Sequence, residues 1–158
     1  MMEWITGKSD FVGREAVIDG WTLGIQKLDQ VPQILVQTAI GPKLLRDHFR
    51  QEWGNNFETY IIMPGKGQVK GILWEINKEE RELVKNWERV DYWYKEVQVK
   101  VKIDKGEEIV ATSECLGDNQ SFDRKVDGLN YDSFLLPKKS FKIRAEKARE
   151  MFYKRIGL

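Results

Sequence analysis

Val97-Gln98-Val99-Lys100-Val101-Lys102-Ile103 alternates apolar and polar residues without a break. That period of two defines a strand with one face buried and one face wet. Asp104-Lys105-Gly106-Glu107 follows and has the composition of a hairpin turn. Ile109, Ala111, Ser113 and Cys115 then alternate on the return. An antiparallel hairpin is therefore expected over 97–115, and the rest of the chain is read outward from it.

On the N-terminal side lies Val69-Lys70-Gly71-Ile72-Leu73-Trp74-Glu75-Ile76, a strand expected to be central in its sheet. Asn77 suits the N-cap of a following helix, and Glu80 stands three residues on, the reciprocal position of a capping box. Leu83, Val84 and Trp87 supply the apolar stripe of that short helix, which ends near Glu88-Arg89. Further back, Tyr60–Met63 reads as a strand cut by Pro64-Gly65-Lys66-Gly67. Leu44, Leu45, His48, Phe49 and Trp53 follow helical spacing, with Pro42 in the first turn and Gly54 at the end. Ile34-Leu35-Val36 and Ala39-Ile40 form a short apolar run before Gly41. Phe11–Trp21 reads as a strand ending in a turn at Gly20. Beyond the hairpin, 117–137 is loop-rich, and an amphipathic helix is expected over about 140–156, with Phe141, Ala145, Ala148, Met151, Phe152 and Ile156 as its apolar positions. Helices and strands are interleaved around an antiparallel hairpin, which places the chain in the α+β class.

The 158 residues fit one domain, with enough chain to bury a core unaided by disulfides or metal. Lys plus Arg number 26 and Asp plus Glu 25. That balance makes no global case for nucleic-acid binding. From residue 124 onward ten Lys or Arg face four Asp or Glu, a local excess that reads first as a solvated helix face. A basic docking surface is the alternative, and its binding would fade steeply with salt. One cysteine excludes an intramolecular disulfide framework and a Cys-built metal site, and it suits a reducing compartment. No apolar run approaches the roughly 20 residues of a membrane span, and Met1-Met2-Glu3-Trp4 lacks the basic and apolar regions of a secretory signal. A soluble, cytoplasmic protein is expected, with neither metal nor cofactor.

Several motifs are set aside. Thr6-Gly7-Lys8-Ser9 resembles the end of a phosphate loop, but the required upstream glycine is Met2. His48 is the single histidine, and no Gly-x-Ser-x-Gly turn exists to partner it. Zinc needs three or four protein ligands, for which one His and one Cys are a poor start. Cys115 reads as a small buried apolar residue. The segment that invites chemistry is Trp87-Glu88-Arg89-Val90-Asp91-Tyr92-Trp93-Tyr94, where a carboxylate at a helix exit sits among large aromatics. Burial there would raise its pKa toward neutrality and fit it for general acid–base work. A surface pairing of Glu88 with Arg89 or Lys85 is the simpler alternative.

In this order and spacing the motifs resemble the γ-glutamylcyclotransferase-like family, including γ-glutamylamine cyclotransferases. The resemblance is carried by Gly71-Ile72-Leu73-Trp74, Leu83-Val84, Glu88, Tyr94 and Val97-Gln98-Val99, with Phe11–Leu23 upstream, and spans about residues 11–115. It implies a small mixed, barrel-like sheet with flanking helices, and an activity that releases 5-oxoproline from a γ-glutamyl compound. The substrate's α-amine would attack its own γ-carbonyl, with Glu88 as acid–base and Tyr94 shaping the pocket. The family's carboxylate-binding loop falls at Ile5–Ser9, here without its Tyr or Leu, which points to Gly7 as the substrate-binding residue. Trp87, Tyr92 and Trp93 would line an aromatic cleft, with Tyr92 a second substrate contact. The same cleft suits a non-catalytic ligand-binding or protein-interaction domain on this fold. Exposed aromatics are also compatible with a homodimer face.

Overall fold

The computed structural model describes residues 1–38, 40–90 and 92–158, without the Lys105 side chain. Ala39, read as part of an apolar run, and Asp91, in the aromatic segment, lie outside the described residues. The elements are α1 (Met2–Thr6), β1 (Gly13–Lys27), β2 (Leu35–Thr38), β3 (Gly41–Leu44), α2 (Leu45–Trp53), β4 (Glu58–Trp74), α3 (Lys78–Glu88), β5 (Lys95–Lys102), β6 (Glu108–Cys115), β7 (Arg124–Val126) and α4 (Lys138–Arg155). The class is α+β with an antiparallel main sheet, as expected.

The main sheet runs β4-β1-β5-β6, and β7 adds to the far half of β1. Its two ends meet: the Leu116 amide, just past β6, donates to the Ile62 carbonyl of β4 at 2.9 Å. The sheet thereby curls into the barrel-like form that leaves an interior lumen. β5 and β6 pair from Lys95–Cys115 through Lys102–Glu108, and Val99, Val101 and Ile103 are buried as their alternation demands.

β1 and β4 are longer than their sequences suggest. Gly20 and Pro64–Gly67 read as breaks, yet both strands continue through them. Asp19 pairs with Gln68 and Trp21 with Pro64, so three residues of β4 face the single Gly20. The irregularity absorbs the proline's missing N–H. Gly20 takes φ 81°, and a Cβ on Gly67 would lie 2.9 Å from the Trp21 carbonyl oxygen. Glycine is therefore used here to bend a paired ribbon, not to end it. Pro42 is likewise reassigned: it lies in β3, paired with Gln37 of β2, and α2 starts at Leu45.

α3 begins as its cap predicts. The Asn77 side chain accepts from the Glu80 amide at 2.9 Å, while the Glu80 carboxylate accepts from the Asn77 amide at 2.8 Å. Lys8 reaches Glu80 at 2.9 Å and ties the N-terminal segment to this cap. α1, α3 and α4 share a small core of Met2, Ile5, Leu83, Val84 and Ala145. α4 turns Phe141, Arg144, Ala145, Ala148, Arg149 and Phe152 inward, a helical stripe that includes two arginines. Ile156, expected on that stripe, is past the helix end and exposed. A second core of Leu45, Phe49, Phe57, Trp93 and Tyr94 lies under α2. None of the helices among the described residues is long and apolar enough to cross a membrane.

Candidate active site

A cavity of about 680 Å³ occupies the lumen and opens toward the helices. Ala16, Val99, Val101 and Ala111 form part of its apolar wall, and α2, the end of α3, β4, the 131–135 loop and α4 also line it. Its size suits a small molecule.

Glu88, the last residue of α3, lines this cavity. It is only partly accessible, and among the described residues its side chain makes no hydrogen bond or ion pair. Burial, reinforced by the nearby Glu114 carboxylate and opposed by Arg81, pushes its pKa up to about 8. The negative end of the α3 dipole acts in the same direction. The expected alternative, a surface pairing with Arg89 or Lys85, is absent among the described residues; Lys85 lies 3.7 Å from Glu82 and 3.8 Å from Glu96 instead.

Glu114 also lines the cavity, from the end of β6. Its Oε1 forms an ion pair with Arg81 Nη1 at 2.6 Å, and among the described residues this buried oxygen has no further partner. Arg81 also holds Glu96 at 2.6 Å. One guanidinium thus serves two carboxylates, which leaves Glu88 as the carboxylate without a direct cation.

Tyr94 lines the same cavity as Glu88. It is 5% exposed, and its hydroxyl donates to the Tyr60 carbonyl at 3.2 Å, with Thr59 Oγ1 at the same distance. Burial, then the Glu88 charge, raises its pKa, so it remains a neutral phenol. Trp93 stacks on Tyr94 with ring centroids 4.0 Å apart. The Trp93 indole N–H donates to Gln26 Oε1 at 2.7 Å, and the Gln26 amide nitrogen is shared among Gln30, Gln120 and Ser121. Gln120 in turn donates to the Trp93 carbonyl at 2.6 Å. This buried amide network fixes the loop that carries both aromatics.

Of the residues singled out from sequence, Glu88, Tyr94, Trp87 and Trp93 come together at the cavity. Gly7 and Tyr92 do not line it. Gly7 is the left-handed C-cap of α1 with φ 77°, its amide donates to the Glu3 carbonyl, and its free side abuts Arg149. Tyr92 sits on the turn after α3 and is 60% exposed, because Trp93 and Tyr94 occupy the inward positions. His48 lines the cavity; burial and then Arg89 lower its pKa, leaving a neutral imidazole at pH 7. Cys115 is buried with a raised pKa, the inert thiol that its strand position suggested. Glu114 and Arg89 were not singled out by sequence reasoning. Glu114 falls on the outward phase of its strand, and nothing in the local pattern distinguishes Arg89.

No protein-family model matches the chain, and no curated protein matches it in sequence. Solved structures do. A protein from Homo sapiens described as uncharacterized is 14% identical with a TM-score of 0.57, over 90% of this chain and 88% of that one. A γ-glutamyl cyclotransferase is also 14% identical with a TM-score of 0.57, over 92% of this chain and 90% of its own. The chain therefore shares the fold of a γ-glutamyl cyclotransferase across almost its whole length.

Proposed function

We propose that this protein is a γ-glutamylcyclotransferase that releases 5-oxoproline from a γ-glutamyl amine or dipeptide. The observation that carries the reading is Glu88: a carboxyl at the wall of a molecule-sized cavity, lacking a direct cation and titrating near neutral pH. The shared fold with a γ-glutamyl cyclotransferase supports it.

The chemistry asks for one group that both takes and returns a proton. In its carboxylate form Glu88 accepts a proton from the substrate's α-ammonium. The free amine attacks the γ-carbonyl carbon, and the new C–N bond closes a five-membered ring. Attack leaves a second acidic proton on the ring nitrogen. As the tetrahedral centre collapses, the bond to the leaving nitrogen breaks and Glu88 gives that nitrogen the first proton. The ring nitrogen's second proton follows it, so the amine departs as its ammonium and the lactam keeps one N–H. Both reacting groups belong to one molecule, so the site contributes chiefly by holding it folded. Tyr94, a fixed neutral donor beside Glu88, shapes the wall against which it folds.

The test is 5-oxoproline release from a panel of γ-glutamyl amines and dipeptides. Glu88→Gln, with its fold intact, is expected to lower kcat by roughly 10²–10⁴-fold. In the wild type kcat/KM should rise with pH and level off above about 8, as Glu88 ionises. A Glu88→Gln protein that cyclises at the wild-type rate would refute the assignment. A second reading, a non-catalytic ligand-binding domain, is favoured by one observation: Gly7, in the segment expected to cradle the substrate carboxylate, lies outside the cavity. Ligand binding without release from any panel member would support that reading.

A further inference from the structure

With no cradle at Gly7, the cavity needs another group to meet a ligand's negative charge. The wall formed by the end of α3 and by α4 carries Arg89, Arg144, Lys147 and Arg155. Neither Arg89 nor Arg155 pairs with a carboxylate among the described residues. Arg155 gives one hydrogen bond to Asn86 Oδ1 at 3.0 Å and lies over the Phe152 ring at 5.6 Å. Arg144, on the same wall, differs, because Glu52 neutralises it. Burial, then Arg155, lowers the pKa of Arg89, and the Glu52 carboxylate opposes the shift. Arg89 is half-buried, whereas Arg155 is exposed at the rim.

The backbone at Arg89 makes this arrangement pointed. Arg89 is the C-cap of α3 in the left-handed conformation, φ 52° and ψ 43°. That is the position at which helices ordinarily carry glycine. A branched-out cationic side chain is held here against its own backbone preference, and strain of this kind is retained where the side chain serves a site. A guanidinium presents a planar fork of donors matched to a carboxylate.

We propose that Arg89 and Arg155 form the carboxylate-binding site of the cavity, so that its ligand carries an acidic group as well as the amine addressed to Glu88. The inference rests on the cyclotransferase reading for the identity of that amine, but the anion site can be tested without turnover. A carboxylate on the ligand has two sources: the glutamyl α-carboxylate, or the carboxylate of an amino-acid leaving group.

Glutarate and its neutral diamide, glutaramide, are the probes, titrated calorimetrically into wild type, Arg89→Gly and Arg155→Gln. Arg89→Gly suits its backbone conformation, so its Tm should equal or exceed the wild-type value. Glutarate is expected to bind the wild type at least tenfold more tightly than glutaramide. Arg89→Gly should weaken glutarate by roughly tenfold to a hundredfold, as loss of a charge-assisted pair implies, with a smaller loss for Arg155→Gln. Equal affinity for the two probes, no glutarate binding to the wild type, or undiminished glutarate binding to Arg89→Gly would overturn the proposal. Release of 5-oxoproline from γ-glutamylalanine and γ-glutamylethylamine then separates the sources. A raised KM for both substrates in Arg89→Gly assigns the glutamyl carboxylate, and a raised KM for the alanine compound alone assigns the leaving group. An unchanged KM for both overturns the site while leaving the cyclotransferase reading intact. Charge-selective glutarate binding without any turnover sustains the site and removes the cyclotransferase.

Discussion

Replacing Glu88 by Gln should stabilise the protein, and by an amount that grows with pH. Glutamine is close in shape to the protonated acid and cannot ionise. In the folded protein Glu88 titrates at about 8, against an ordinary glutamate value of 4.5. Between these values the folded state holds a proton that the unfolded chain releases. The sign follows from linkage: a folded-state pKa above the unfolded one gives stability that is full below 4.5 and lost as pH rises through about 8. Integration over that window gives a wild-type penalty of about 1 kcal/mol at pH 5, about 3 at pH 7 and about 4 at pH 8, levelling off above. The variant is free of this penalty, so its advantage follows the same curve. Each kcal/mol corresponds to roughly 2–4 °C in Tm for a domain of this size. Urea denaturation of both proteins at half-unit steps from pH 5 to 9 reads the difference directly, since the other titrating groups are common to both. A stability gap that stays flat across this range would refute the elevated pKa, and with it the physical basis for assigning acid–base work to Glu88.

Two further substitutions test what supports the site. Gln26→Leu should cost about 2–3 kcal/mol, because it strands the buried Trp93 indole N–H and the acceptors now bonded to Gln26; a loss below about 0.5 kcal/mol in urea denaturation would show that this network is dispensable. Asn77→Ala should cost about 1 kcal/mol through loss of the α3 cap, and Asn77→Gly only a few tenths; equal losses from both would argue against a side-chain cap.

The fold was legible where local signals agreed. The alternation over 97–115 and the Asn77–Glu80 cap each rest on contacts within a few residues, and both appear in the structure. The missed features depend on distant partners. Pro64–Gly67 looks like an end because proline and glycine usually end strands, but the 15-residue β1 supplies a partner along the whole of β4. Pro42 suits a helix start by local preference, yet β2 is near enough to pair it. The site was legible only in part. Glu88 and Tyr94 are reached through the family resemblance, because a carboxylate at a helix exit among aromatics fits a surface pairing equally well by local pattern. Glu114 is made relevant only by curvature, which brings the end of β6 beside α3. Arg89 becomes conspicuous only when its φ and its neighbour Arg155 are known.

Glu88 and Arg89 are adjacent in sequence and electrostatically opposite, and the end of α3 accounts for both. A helix terminus gathers unpaired carbonyls and a negative partial charge. A carboxylate there is discouraged from ionising, which keeps Glu88 near the pH at which it can both take and give a proton. A cation there is favoured, which offsets part of the burial cost of Arg89. The left-handed turn at Arg89 redirects the chain immediately, so that Trp93 and Tyr94 fold back onto the same cavity and are locked by Gln26 and Gln120. The cap at Asn77 and the Lys8–Glu80 pair fix the other end of the helix. A short helix held at both ends is a precise mount, as the proposed site would need to bring an amine to one residue and a carboxylate to the next.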